Sequence, residues 1–404
     1  MGKLRDLLGE LPKAVTPTRS TNRRKVLLAI AIKAGTQVDI ARRTMLSQAT
    51  VSAAVRELVT AGLVPEVKTE GKGRGGRVSL VPVDDVGVGV HLGWNHTMVV
   101  ARRLDKEFDQ VSVRVSAQGV SKGWHRALPE VKEMIAEAIE ETGRRRADVL
   151  SLGIALPRMI DPRTGGFTPP ILPPWRPGDD PAGDLGAWLG VRAVIDNDAN
   201  LGALAEQTYG TRENAETVVY VKASTGVGAG IIVHNNVLRG HRGMAGEIGH
   251  LTVDPDGAVC QCGGRGCLET VMGADALIAQ VRAARTRNSA SGPETLEQVI
   301  KAADEQDAVC MRVIQDAGRR LGHSLAQLCN LLNPDLVVVG GQLAESRLLL
   351  EGCNETLRRF ALPGAVADGG AFTLALSELG TRAEPQGALV LGLRGQENAG
   401  SAPA

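Results

Sequence analysis

The chain has no uninterrupted apolar run near the ~18 residues that a membrane-spanning helix needs. A helical integral membrane protein is thereby excluded. The first residues, MGKLRDLLGELPK, alternate charge with leucine instead of forming the apolar stretch of a signal peptide, so the expected location is the cytoplasm, with no membrane partner. Cysteine is scarce. Of six in 404 residues, Cys260, Cys262 and Cys267 stand together, while Cys310, Cys329 and Cys353 are scattered among apolar or helical residues. That distribution excludes a disulfide framework and points to a metal site plus buried thiols. There is no G-x-x-x-x-G-K-[ST] loop, which argues against a P-loop fold. An excess of one charge is also missing, the formal net charge being +1.

This near-neutrality conceals a division. Residues 1–85 hold 15 Lys and Arg against 8 Asp and Glu, a balance of +7, and the remainder holds 31 against 37, a balance of −6. A basic head on an acidic body is the pattern of a nucleic-acid-binding module joined to a soluble partner domain. With 43% hydrophobic and 23% charged residues, the chain can build two or three domains with cores of their own.

In the head, three helices are predicted: Arg23 to Lys33, with apolar Val26, Leu27 and Ile30; Val38 to Thr44; and Gln48 to Ala61, with Val51, Val55, Leu58 and Val59 as its buried stripe. Gly35 closes the first, and Ser47 stands where the N-cap of the third belongs. Only Met45-Leu46-Ser47 separates the second from the third, which is the helix-turn-helix signature. With the third helix in a major groove, Ser47, Gln48, Thr50 and Ser52 are the candidate base-side contacts, while Arg56, Arg42 and Arg43 can reach phosphates. After Gly62-Leu63-Val64, the run Lys72-Gly-Arg74-Gly-Gly-Arg77 followed by Val78-Ser-Leu80 reads as a glycine-flexed hairpin. Arg74 and Arg77 at its tip make a wing suited to a minor groove. The competing reading is a generic three-helix bundle with a solvated basic loop. The wing at the expected distance and the polar residues grouped at the start of the third helix favour double-stranded DNA.

Beyond residue 85, strand-like runs (Val86–Val90, Met98–Arg102, Val149–Ala155, Ala193–Ile195, Thr217–Val221, Gly230–Val233, Leu336–Val339) alternate with helical stretches (Ala127–Glu141, Ala199–Tyr209, Gly273–Arg285, Ala308–Leu332). The body is therefore α/β. Its most specific segment places His250 ahead of Cys260, Cys262 and Cys267, with glycines between the last two. Three thiols and an imidazole suit tetrahedral Zn²⁺ with no open position, hence a structural site, and the glycines let the backbone wrap the ion.

The run Gly243-Met-Ala-Gly-Glu247-Ile-Gly-His250, continuing through Cys260-x-Cys262-Gly-x-x-Gly-Cys267-Leu-Glu269, resembles the ROK family of repressors, open reading frames and kinases. So do Val194-Ile-Asp-Asn197-Asp198-Ala-Asn200, Ser224-Thr-Gly-Val-Gly-Ala-Gly230 and the winged helix-turn-helix, so that the resemblance runs from about residue 20 to residue 393. It implies a two-lobed actin-like (sugar kinase/RNase H-like) domain with hexose in the cleft between the lobes. The implied layout is a winged helix-turn-helix and linker over residues 1–82, a first lobe over 83–200 and a second over 201–385, with the zinc motif at about 250–269. Residues 386–404 would form a helix returning to the first lobe, plus a tail. The matching sugar contacts are Asn197, Asp198, Glu247, His250 and Glu269. Carboxylates and an amide suit sugar hydroxyls, and His250 can offer one ring nitrogen to zinc and the other to the sugar. In kinase members the aspartate matching Asp198 is the general base.

Kinases of this superfamily hold ATP phosphates between two hairpins, the first reading Asp-x-Gly-x-Thr. Here that place reads His91-Leu-Gly93-Trp94-Asn95. Histidine offers Mg²⁺ no hard oxygen, and indole bulk stands where the backbone must approach phosphate. Asp85, upstream, would replace the lost aspartate only with the strand shifted out of register. The second loop, Thr225 to Gly230, and Gly340-Gly341 remain, and their glycines can be kept for packing alone. Pro157-Arg158 stands where the family more often has Pro-Gly. Since phosphoryl transfer rests on positioned charge, neither catalysis nor bound ATP and Mg²⁺ is expected. The favoured function is a transcription regulator, a repressor in the first instance, that binds an inverted-repeat operator as a homodimer or homotetramer and senses a sugar or sugar derivative. The alternatives are a bifunctional ATP-dependent sugar kinase that also binds DNA, and a plain sugar kinase with an unused head.

Overall fold

The computed structural model describes residue 4 and residues 17–66, 76–171, 174–210, 212, 215–285, 292–367 and 372–396. The chain divides into two compact units. One comprises Met1–Arg158, Gly165–Asp196 and Pro385–Ala404, the other Met159–Thr164 and Asn197–Glu384.

The first unit contains the head and half of the body. Helix α1 (Pro17–Ile32) begins at Pro17, not at Arg23, because its first two turns are polar and carry no apolar period. Those turns are held from outside the helix, where Glu57 pairs with Arg19 and, at 3.6 Å, with Arg23. Helix α2 (Gln37–Thr44) opens on a reciprocal cap, in which the Asp39 amide donates to Thr36 Oγ1 and the Thr36 amide to Asp39 Oδ2. Met45, at φ 55°, turns the chain in the left-handed region, and α3 (Gln48–Thr60) starts at the expected N-cap, the Thr50 amide donating to Ser47 Oγ at 3.1 Å. The buried stripe of α3 is Val51, Ala54, Val55 and Leu58, with Val59 only half buried. Val78 forms an antiparallel bridge to Gly35, and the Val81 amide donates to the Leu63 carbonyl. These contacts make the base of the wing. Its expected tip, including Lys72 and Arg74, lies outside the described residues.

The half-body of this unit is built from β1 (Val86–Leu92), β2 (Thr97–Arg103), β3 (Ser112–Ser116), α4 (Trp124–Glu141), β4 (Val149–Leu156), α5 (Pro181–Leu189) and β5 (Ala193–Asn197). The sheet order is β3-β2-β1-β4-β5, with β1 antiparallel to β2 and parallel to β4. The C-terminal helix Ala383–Gly395 packs on this sheet over two glycines. A Cβ at Gly89 would overlap the Pro385 carbonyl, and one at Gly153 the Ala388 carbonyl.

The second unit repeats the plan. It runs α6 (Asp198–Tyr209), β6 (Thr217–Ala223), β7 (Val227–Val233), β8 (Asn236–Val237), α7 (Glu269–Met272), α8 (Ala274–Ala284), α9 (Leu296–Asp304), α10 (Ala308–Leu332), β9 (Leu336–Gly340), α11 (Arg347–Phe360) and β10 (Thr373–Leu376). Its sheet order is β8-β7-β6-β9-β10, the counterpart of the first, with β6 antiparallel to β7 and parallel to β9. Doubled sheets of this kind make the body actin-like. Cys310, Cys329 and Cys353 are core residues here, and burial pushes the Cys353 thiol up to about 12. Among the described residues no helix is long and apolar enough to cross a membrane.

Candidate functional site

His250, Cys260, Cys262 and Cys267 come together so that their ligand atoms all lie within 4.8 Å of one another. Cys260 Sγ is 3.7 Å from His250 Nδ1, and Cys262 Sγ is 3.7 Å from Cys267 Sγ. A regular tetrahedron with Zn–S near ~2.3 Å has edges of about 3.8 Å, so the donor set fits zinc in size as well as type. Gly263 (φ 90°) and Gly266 (φ 63°) make the knuckle possible, and a Cβ at Gly266 would overlap the Asp254 carbonyl. Burial and the neighbouring thiols push Cys267 up to about 12, whereas the Gly264 amide draws Cys262 down. A dication at the centre lets three thiolates coexist at such spacing.

The expected sugar-contact residues gather around β7, within the second unit. Gly230 of β7 seats the Ala199 carbonyl at the start of α6, which brings Asn197 and Asp198 to the strand. Gly246 and Gly249 seat the Ala229 and Val227 carbonyls, which brings up Glu247 and His250. With His250 Nδ1 facing the thiols, Nε2 lies 3.8 Å from Glu247 Oε2. The two ring nitrogens therefore face different neighbours. Asn197 caps α6, its Oδ1 accepting from the Ala199 and Asn200 amides. Glu269 is more committed than the sequence suggests, accepting from the Val227 amide at 3.0 Å and from Gln261 Nε2 at 3.1 Å.

Sequence reasoning missed Lys222. Its ammonium pairs with Asp198 Oδ2, while Asp198 Oδ1 accepts from the Ala199 amide at 2.8 Å. Burial works against the charge on Lys222, but Asp198 and Glu384 outweigh it and hold the ammonium above the usual lysine range. Glu384 in turn accepts from the Tyr220 hydroxyl at 2.9 Å. A lone lysine closing the apolar run Val218–Val221 was the available signal.

The two loops expected to match phosphate hairpins each carry contacts from the protein's own groups. His91 lies inside β1, buried, between Met98 and Ala155, and its ring meets His96 edge-on at 4.9 Å between centroids. The His96 imidazole covers Gly93, where a Cβ would stand 2.7 Å from His96 Cε1. Trp94 is 38% exposed, and the Gly93 and Trp94 carbonyls accept from the Val120 and Ser121 amides at 3.0 and 2.9 Å. Asp85 stands at the opposite end of β1 and accepts from the Leu4 amide at 2.7 Å. At the second loop Glu269 takes the Val227 amide and sits against Gly226. Arg158 donates to the Thr168 and Pro170 carbonyls.

On the head, Ser47, Gln48 and Arg56 are exposed and Thr50 and Ser52 half buried; Thr50 Oγ1 is 2.8 Å from Ser47 Oγ. Arg43 departs from expectation. Its guanidinium donates to the Ala29 and Lys33 carbonyls, closing the C-terminal end of α1, so from the last turn of α2 it faces α1 and not the outer face. Arg42 remains half exposed. Arg77 lies beside the Val78 bridge, with Nη2 2.7 Å from both carboxylate oxygens of Glu107.

The profile of the ROK family matches residues 88–394, and that of the MarR family matches residues 23–75. The chain is 35% identical over 257 residues to a glucokinase of Halalkalibacterium halodurans, covering 60% of this chain and 77% of that one. It is 29% identical over 344 residues to an N-acetylglucosamine repressor of Escherichia coli, covering 79% and 80%. Among solved structures it is similar to a ROK family transcriptional regulator, a homolog of the Escherichia coli MLC protein, with a TM-score of 0.70, 24% identity and coverage of 94% of this chain and 97% of that one.

Proposed function

Since the chain belongs to the ROK family and carries a MarR-type winged helix ahead of its ROK domain, we propose that it is a DNA-binding transcription regulator, a repressor, whose kinase-like body senses a sugar or sugar derivative. The observation that carries this reading is the pairing of a helix-turn-helix head with a body that keeps Asn197, Asp198, Glu247, His250 and Glu269 around β7. Repressors named for a sugar are among its relatives.

Sensing proceeds without phosphoryl transfer. His96 fills the first loop over Gly93, and Glu269 holds the Val227 amide of the second, so neither offers a free backbone cradle to ATP phosphates. Asp198 has an ammonium on one oxygen and an amide on the other, so both oxygens are already engaged within the protein. Zn²⁺ would be held by His250 Nδ1 and the three thiolates, and would tie down the loop carrying Glu247. A bifunctional sugar kinase is the second reading, favoured by the 35% identity to a glucokinase.

In DNA recognition, Gln48 meets base edges from the exposed start of α3, with Ser47, Thr50 and Ser52 beside it, while Arg56, Arg74 and Arg77 serve the backbone and minor groove. The operator is an inverted repeat read by a homodimer or homotetramer in the cytoplasm. The test is to select an operator from random duplexes and titrate the bound protein with hexoses, pentoses and amino sugars, with Glu247→Ala as the blind control. A sugar that shifts operator affinity about 5- to 150-fold supports the reading; tight sugar binding that leaves operator affinity unchanged overturns it.

A further inference from the structure

Arg102 is one of the largest fully buried side chains, only 2% exposed, yet it lies on β2 of the body among Val99, Val100 and Ala101. A guanidinium is costly to bury unless its donors are met. Here Nη1 and Nη2 both find carbonyls, and the two bonds from Nη2 cross from body to head. Nη2 donates to the Ala31 carbonyl at 2.7 Å and the Ile32 carbonyl at 3.1 Å, and Nη1 to the Lys106 carbonyl at 2.9 Å. Ala31 and Ile32 are the last two residues of α1, whose terminal carbonyls have no partners within the helix and carry the negative end of its dipole. The α1 terminus is thus closed by two arginines, Arg43 from the head itself and Arg102 from the body.

The turn after β2 extends the contact. Lys106 receives Arg102, Glu107 pairs with Arg77 beside the wing bridge, and the Phe108 ring lies under Lys33 Nζ at 5.7 Å. Arg77 and Glu107 are both exposed, and an exposed pair fixes little. Arg102 is buried, charged and fork-shaped, so its bonds specify one orientation of α1 on β2.

We propose that Arg102 is the positioning residue that sets the orientation of the winged head on the body, and so fixes where each head can reach on DNA. This rests on the regulator reading above. With the orientation held, two heads in a symmetric oligomer meet half-sites at one separation, and the second contact benefits from the first; with it loosened, that advantage falls while each head still reads its own half-site.

The test compares wild type with Arg102→Met on three duplexes: a single half-site, the selected operator, and the operator with its spacer lengthened by about 5 bp, half a helical turn. The expected result is unchanged affinity for the single half-site, unchanged zinc content and sugar affinity, about tenfold weaker binding to the operator, and loss of preference for the native spacer. The sugar-induced change in operator affinity should shrink in parallel. Should the methionine variant not fold, Arg102→Lys, which keeps the charge and loses the planar fork, gives the same comparison. Variants that keep the wild-type spacer preference overturn the proposal, as does an equal loss on the single half-site, which would mean that Arg102 merely stabilises the head. Wild type that is indifferent to both spacer and sugar overturns the regulator reading together with this one.

Discussion

Nε2 of His250 stands 3.8 Å from Glu247 Oε2 while Nδ1 of the same ring stands 3.7 Å from Cys260 Sγ, so a metal on one side of the imidazole fixes the donor presented on the other. One zinc per chain is expected in freshly purified protein. Cys262→Ser should lower Tm and weaken sugar binding together, because the loop that positions Glu247 would lose its tie. Elemental analysis and a thermal-shift titration check both, and protein isolated without zinc would rule the site out.

Sugar-dependent ATP turnover should be absent across hexoses, pentoses and amino sugars, with His96 over Gly93 and Lys222 on Asp198. A coupled kinase assay decides. Turnover that vanishes in Asp198→Asn would establish the bifunctional reading instead.

Gln48→Ala should cost about 1–3 kcal/mol on the operator and relax preference at one base position per half-site, whereas Arg56→Ala should weaken specific and random DNA alike and flatten the salt dependence. Arg43→Ala should behave differently from both. Its bonds close α1, so the expected loss is in the thermal stability of the head, without a change in salt slope. Anisotropy titrations at several salt concentrations separate the three outcomes.

Burial raises Glu206 from the ordinary 4.5 to about 7, with Glu378 and Glu384 adding to the rise against the hydrogen bond from Ser377. The folded state therefore holds a proton that the unfolded chain releases at lower pH. Its contribution to stability is full below about 4.5 and is lost as pH rises through about 7. Glu206→Gln should remove that decline, read as a flatter Tm between pH 5 and 8 on the ordinary carboxylate scale. A wild-type Tm that rises across the same range would contradict it.

What could be read in the sequence was local. The Ser47 cap, the Met45–Ser47 turn, α10 and the cluster of His250 with Cys260, Cys262 and Cys267 each depend on residues within one stretch of chain, and the structure has them where the spacing put them. The edge strands β3 and β10 and helices α5 and α9 were missed, being short, whereas α11 was missed although Leu349, Cys353 and Leu357 give it a buried apolar face. The first turns of α1 were missed because a pair with Glu57, not a hydrophobic stripe, holds them. Long-range pairings were beyond reach altogether. Nothing near Arg102 announces that its partners stand at Ala31 and Ile32, and Arg43 has the look of a surface cation until α1 is laid beside it.

The matching order of the two sheets makes the β1–β2 and β6–β7 turns structural counterparts, but they do not carry equal duties. At the first, His96 and the backbone of residues 119–121 lean on the turn. The second packs between Glu269 and Ala199, where a Cβ at Gly230 would overlap the Ala199 carbonyl and one at Gly226 would meet the Glu269 carboxylate. Packing alone therefore suffices to hold a glycine at position 230, so the glycines of the β6–β7 turn say nothing by themselves about phosphoryl transfer.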